Sequence, residues 1–155
     1  MFQNRLFHAR QSLDRKRRVW LEDEGRTLGK LLIPDPFWDQ MRAAPVVFVD
    51  IPQRQRIDLL VEEYASYEKN FLEDSIDRIA RRLGPERHRF CQDALRANEF
   101  SEVARECLNY YDRAYLHSLN SRSPDPLWKL PLETTGTEQN VDALLKFMSQ
   151  QTCSA

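Results

Sequence analysis

Apolar residues recur along this chain mostly at helical spacing, interrupted by three short runs that suit strands. Phe2, Leu6, Ala9 and Leu13 share one helical face and predict an amphipathic opening helix. A basic run over 15–18 leads into Val19–Trp20–Leu21, a predicted strand, and the charged stretch 22–26 predicts the loop at its end. Asp35 and Pro36 predict a helix start, with aspartate as N-cap and proline in the first helical position. Val46–Val47–Phe48–Val49–Asp50–Ile51 is the clearest strand, and its unbroken apolar run is the pattern of a parallel strand covered on both faces. Pro52 opens a long helix with Ile57, Leu60, Val61 and Tyr64 on one face. Leu72, Ile76, Ile79 and Leu83 form a second stripe, which Gly84–Pro85 stops. Phe90, Ala94 and Leu95 form a third, and Val103, Cys107, Leu108, Tyr111 and Tyr115 a fourth. A Ser/Pro linker over 121–126, a last strand Leu127–Leu132 and a helix carrying Val141, Leu144, Leu145 and Met148 complete the chain.

This order predicts the α/β class: a small parallel sheet of about three strands, covered by helices and carrying a helical insertion. The 155 residues read as a single domain, with a strand–helix core over 1–52, a helical region over 53–120 and a final strand and helix over 121–155. The mean sheet has about 5–6 strands, so a sheet this small implies that part of the domain is missing.

Twenty-three basic and 24 acidic residues give a net charge of −1, so a nucleic acid would have to be met by a local basic patch. A hydrophobic fraction of 41% excludes a disordered polyelectrolyte. No apolar run approaches the ~20 residues of a membrane helix, and no secretory leader pattern opens the chain. The cytoplasm is the expected address. Cys91, Cys107 and Cys153 lack metal-site or disulfide-framework spacing; Cys91 and Cys107 fall on apolar faces as reduced core thiols, and no metal site is expected.

Several residues are candidates for chemistry. Gly25 and Gly29–Lys30 fail as a phosphate loop, because three residues separate the glycines and Leu31 stands where a hydroxyl is required. Glu24 and Arg26 lie just beyond the first predicted strand, where open α/β sheets place ligands; a carboxylate and an arginine there suit a metal–phosphate or a phosphate clamp. A solvated loop with local ion pairs fits the same spacing. Arg54 and Arg56 follow the buried strand at a helix start, against the helix dipole, an arrangement that an anion would explain. Six arginines between Arg78 and Arg96 face two acids, while Asp58 to Asp77 holds seven carboxylates against Lys69. Arg81, Arg82, Arg87 and Arg89 are thus candidates for nucleic-acid phosphates, and pairing of the acidic and basic helices is the plainer alternative. Tyr111 and Tyr115 continue an apolar stripe, with Asp112 facing sideways from it.

The ordered set Val19-Trp-Leu-Glu-Asp-Glu-Gly-Arg-Thr-Leu-Gly29, Leu32-Ile-Pro-Asp-Pro, Met41-Arg-Ala-Ala-Pro45, Ile51-Pro-Gln-Arg-Gln-Arg56, Glu62-Glu-Tyr64, Arg82-Leu-Gly84 and Tyr110-Tyr-Asp-Arg-Ala-Tyr115 closely resembles the bacterial tRNA 2-selenouridine synthase family. The resemblance implies a transferase that converts wobble 2-thiouridine to 2-selenouridine in tRNAs for lysine, glutamate and glutamine. Selenophosphate and geranyl diphosphate are its implied substrates, an S-geranylated tRNA its intermediate, and selenophosphate synthase an implied partner. It further implies a P-loop NTPase-like domain, of which this chain would be the latter part. The family's rhodanese-like domain, with its catalytic cysteine, and the phosphate loop are absent, so the chain is expected to hold no catalytic residue and no cofactor and to be inactive alone. By position, Glu24, Arg26, Arg54 and Arg56 would face diphosphate or selenophosphate. Arg81, Arg82, Arg87, Arg89, Tyr111, Asp112 and Tyr115 would meet tRNA. Gly25 departs from the family's usual serine in its Glu-Ser-Arg motif. The alternative, from another class, is a non-catalytic helical module that binds RNA or protein.

Overall fold

The computed structural model describes residues 1–23, 25–122 and 126–152, so Glu24, part of the Ser/Pro linker and Cys153 lie outside the described residues. The chain divides into two compact units, one of residues 1–47 with 122–128 and the other of 48–121 with 129–155.

In the first unit, α1 (Phe2–Gln11) precedes a hairpin of β1 (Thr27–Leu28) and β2 (Leu31–Leu32), which pair antiparallel with Thr27 opposite Leu32. Gly29 opens the two-residue turn at φ 60°, a left-handed conformation that glycine adopts without steric cost. The glycine that imitates the end of a phosphate loop is therefore a hairpin turn. Val19–Trp20–Leu21 forms no strand, correcting the expectation. Its side chains are about half exposed, and among the described residues no strand pairs with it. The loop holding Glu22, Asp23 and Arg26 consequently leads into a hairpin rather than leaving a strand's carboxyl end. α2 (Asp35–Ala43) starts one residue earlier than expected, with Pro34 as N-cap. The Asp35 carboxylate makes no cap and instead pairs with Arg26.

β3 (Val46–Asp50) and β4 (Leu127–Pro131) pair in a second two-stranded sheet. The Val46 N–H donates to Pro126 O at 3.0 Å and the Leu132 N–H to Asp50 O at 2.9 Å, which sets Val46 beside Leu127 and Asp50 beside Pro131 in parallel register. The expected parallel pairing forms, with two strands rather than three.

The second unit is helical. α3 (Gln53–Tyr64), α4 (Lys69–Arg78), α5 (Ala80–Leu83), α6 (Pro85–Arg96), α7 (Phe100–Asn120) and α8 (Thr137–Thr152) follow in order. α7 packs along α3 and α6, and α4 packs on α6. Ile76, Leu83, Cys91 and Leu95 form the buried cluster, with Leu72, Ile79, Phe100 and Val103 against it. The single predicted stripe Leu72–Leu83 is split at Ile79, whose φ of −104° and ψ of 6° break the helix while keeping all four side chains on the core. Gly84 ends α5 at φ 85° and Pro85 starts α6. The turn between α6 and α7 is a Schellman motif: the Glu99 N–H donates to Ala94 O at 2.9 Å and the Asn98 N–H to Leu95 O at 3.1 Å, with Asn98 left-handed at φ 62°.

Candidate functional site

Pro52 fixes the start of α3 and aims its first turns at the middle of α7. There the Arg56 fork meets the Asp112 carboxylate face to face, Nη1 to Oδ1 at 2.7 Å and Nη2 to Oδ2 at 2.8 Å, while Nε donates to Ile51 O at 3.0 Å. Bidentate geometry of this kind is the strong form of an arginine–carboxylate bond. The Asp112 hydrogen bond holds the Arg56 pKa above its ordinary value against the opposing effect of burial. Gln53 Nε2 donates to Asn109 Oδ1 at 2.9 Å, adding a second rung between the same helices.

Beside this pair, α3, α4 and α7 enclose a cavity of about 490 Å³, within the ~300–1,000 Å³ of small-molecule sites. Leu60, Leu72, Ile76, Leu95 and Leu108 give it an apolar lining. Along α7 the lining changes from Val103 and Cys107 to Tyr111, Asp112 and Tyr115, so an apolar pocket grades into a polar end within three helical turns. Tyr64 lines the same cavity and begins an exposed aromatic stack with Tyr67 and Phe71, whose ring centroids are 5.6 and 5.4 Å apart.

Two groups proposed from sequence, Arg56 and the Tyr111–Asp112–Tyr115 set, thus converge on one cavity. Arg54, two residues before Arg56 and so about half a turn round α3, lies outside the cavity lining, is exposed and makes no ion pair among the described residues. Arg26 belongs to the first unit, engaged by Asp35, and Glu24 lies outside the described residues.

The arginine cluster divides. Arg87 pairs with Glu106 at 3.7 Å, Arg96 with Asp93 at 3.2 Å and Glu73 at 3.9 Å, and His88 with Asp77 at 2.6 Å. Arg78, Arg81, Arg82 and Arg89 are exposed and make no ion pair among the described residues. Helix pairing accounts for the first set and leaves the second set facing solvent.

Two features escaped the sequence. Arg122, in a Ser/Pro-rich stretch that reads as solvated, is only 6% exposed; it pairs with Asp23 and its Nη2 donates to Met41 O at 2.5 Å. The cavity itself left no local signature, because its walls come from segments up to 59 residues apart, from Arg56 to Tyr115. Among the described residues no three histidine, cysteine or acidic side chains are grouped to hold a metal ion, and no helix is long and apolar enough to cross a membrane.

The family model described as the tRNA 2-selenouridine synthase AAA domain matches residues 1–151. The chain is 30% identical to the tRNA 2-selenouridine synthase of Aeromonas salmonicida (strain A449), over 66% of this chain and 35% of that protein. It is 31% identical to that of Salmonella enteritidis, over 84% of this chain and 38% of the relative. For Hydrogenovibrio crunogenus the identity is 27%, over 84% of this chain and 40% of the relative. Across these three relatives the chain spans 35–40% of their length. No solved structure matches it. The motif order, the mixed α/β architecture and a match over nearly the whole chain agree: the chain belongs to the tRNA 2-selenouridine synthase family.

Proposed function

We propose that this chain supplies the prenyl-chain and tRNA contacts of a tRNA 2-selenouridine synthase, with the cavity between α3, α4 and α7 receiving the geranyl group of geranyl diphosphate. The observation that carries the reading is the cavity's gradient, apolar at Leu72, Ile76 and Leu108 and polar at Arg56, Asp112 and Tyr115. An amphiphile with a short hydrocarbon chain and an anionic head matches that gradient in both parts.

Arg54, exposed at the start of α3 and outside the cavity lining, meets the diphosphate only where the head group extends beyond the polar end. Arg56 has three of its five N–H groups directed to Asp112 and Ile51 and presents the remaining two. Its charge is largely balanced by Asp112, so its part is to fix the polar end rather than to supply net attraction. Arg78, Arg81, Arg82 and Arg89 meet tRNA phosphates, and Tyr111, Tyr115 or the stack beginning at Tyr64 offers a face to an unstacked anticodon base. The 2-thiouridine sulfur so delivered displaces diphosphate from the geranyl carbon; selenium from selenophosphate then displaces geranylthiol from the base and phosphate leaves, with the rest of the family's machinery providing the catalytic cysteine and phosphate loop.

Calorimetric titration of the chain with geranyl diphosphate and with inorganic diphosphate tests the reading. Burying about five prenyl carbons at about 0.8 kcal/mol each gives about 4 kcal/mol, or roughly a thousandfold tighter binding for the prenylated ligand. Leu108→Trp, which fills the cavity, should remove that advantage. Equal affinity for the two ligands, or an advantage that survives Leu108→Trp, would overturn it.

A further inference from the structure

The proposed reaction leaves two thiols unused, one in the cavity lining at Cys107 and one in the core cluster at Cys91. Cys91 lies on α6 and Cys107 on α7, each eight positions from Glu99 in the turn that joins the two helices. In an antiparallel helix pair, residues equidistant from the turn stand at the same level. Leu95 and Val103, each four positions from Glu99, obey the same rule and pack together in the core. Cys91 and Cys107 accordingly stand at one level of the packed α6–α7 pair, near enough for each thiol to shift the other's pKa. Their surroundings differ. Cys91 is wholly buried in the cluster with Ile76, Leu83 and Leu95, whereas Cys107 is partly exposed and lines the cavity.

We infer that Cys91 and Cys107 form a reversible dithiol–disulfide couple between the core and the cavity, with Cys107 the thiol that meets a hydroperoxide and Cys91 the thiol that resolves it.

The division of labour follows from the surroundings. Cys107 is the thiol a hydroperoxide in the cavity can reach, because Cys91 is wholly enclosed. The neighbouring Cys107, burial and Glu106 raise the Cys91 pKa, whereas Cys91 lowers that of Cys107 against burial and Glu106. The thiolate is the nucleophile, so reaction begins at Cys107. The Cys107 thiolate attacks one peroxide oxygen and breaks the O–O bond, giving a sulfenic acid and releasing the other oxygen as hydroxide or alkoxide. The Cys91 sulfur then attacks the sulfenic sulfur; the S–O bond breaks, the S–S bond forms and water leaves with the Cys91 proton. In sum, two thiols and one hydroperoxide give a disulfide, an alcohol or water, and a second water. The two sulfurs lose two electrons and the peroxide gains them. The bond ties α6 to α7 and removes the free thiol from the cavity wall, so the redox state of the surroundings reaches the ligand pocket. This inference stands apart from what the cavity binds.

The full chain carrying Cys153→Ser, which leaves only these two thiols, is treated with stoichiometric hydrogen peroxide and digested under non-reducing conditions. The expected product is one linked peptide pair containing Cys91 and Cys107, lighter by two hydrogens and restored by dithiothreitol. In the additional Cys91→Ala variant, Cys107 loses its resolving thiol and should advance to sulfinic acid, which dithiothreitol does not reverse. Circular dichroism on each variant confirms the fold. Cys107 remaining a thiol under peroxide, linkage between two chains, or over-oxidation at the same rate with and without Cys91 would each overturn the inference.

Discussion

Removing the Asp112 carboxylate should weaken the helical unit by an amount that its geometry bounds. Arg56 and Asp112 are 31% and 32% exposed, so the pair is neither a surface ion pair nor a buried one. Exposed pairs are worth about 0.2–1 kcal/mol, and breaking a buried pair costs about 3–5 kcal/mol. With two short charge-assisted bonds and water reaching about a third of each group, the coupling should be about 2 kcal/mol. A double-mutant cycle of Arg56→Ala, Asp112→Ala and both together isolates it from the lost side-chain packing. For a chain of this size the coupling corresponds to about 4–8 °C in melting temperature. The probe decides whether the experiment is meaningful: Trp20, Trp38 and Trp128 all belong to the other unit, so urea unfolding must be followed by far-ultraviolet circular dichroism rather than by tryptophan fluorescence. The raised Arg56 pKa makes its contribution complete throughout the neutral range and lost only above the ordinary arginine range, so the coupling should not change between about pH 7 and 9. A coupling below about 0.3 kcal/mol, or one that vanishes within that range, would refute the assignment of this pair as the tie between α3 and α7.

Replacing Arg81 and Arg82 together with alanine should weaken tRNA binding for all sequences and flatten the slope of log K against log salt by about 1.4–1.8, with the circular dichroism unchanged. Leu95→Ala, at a side chain only 1% exposed, should cost about 2–5 kcal/mol in urea unfolding. Asn98→Val should cost about 1–2 kcal/mol because a β-branched residue resists the left-handed turn, whereas Asn98→Gly should cost nothing. Arg122→Met leaves the half-buried Asp23 carboxylate without its cation and takes one of two donors from the Met41 carbonyl, which keeps the Ala44 N–H; it should lower the stability of the first unit by about 2 kcal/mol, read here by tryptophan fluorescence.

How far the fold could be read from sequence depended on whether a signal was local. Val46–Val49 announces itself by a continuous apolar run and Leu127–Pro131 by apolar residues around Lys129, and both form strands. Val19–Leu21 carries the same kind of run and forms none, because a strand needs a partner and composition does not reveal one. The break at Ile79 is hidden for the opposite reason: the turn keeps the apolar stripe in register, so periodicity passes through it unchanged. Within the site, Asp112 reads as facing away from the apolar stripe of its helix, yet its partner lies 56 residues earlier in the chain. Only the adjacency of α3 and α7 turns that direction into an ion pair. The thiol pair was legible in principle, since its two positions flank Glu99 symmetrically.

The most direct measurement of the central claim is photoaffinity mapping of the cavity. A geranyl diphosphate analogue carrying a diazirine at the distal end of the prenyl chain is irradiated with the chain, and the labelled peptides are identified by mass spectrometry. Labels on Leu72, Ile76, Val103 or Leu108, lost when unmodified geranyl diphosphate competes and absent from Leu108→Trp, are the predicted result. Labels confined to residues 1–47, or labelling that unmodified geranyl diphosphate does not displace, would contradict it.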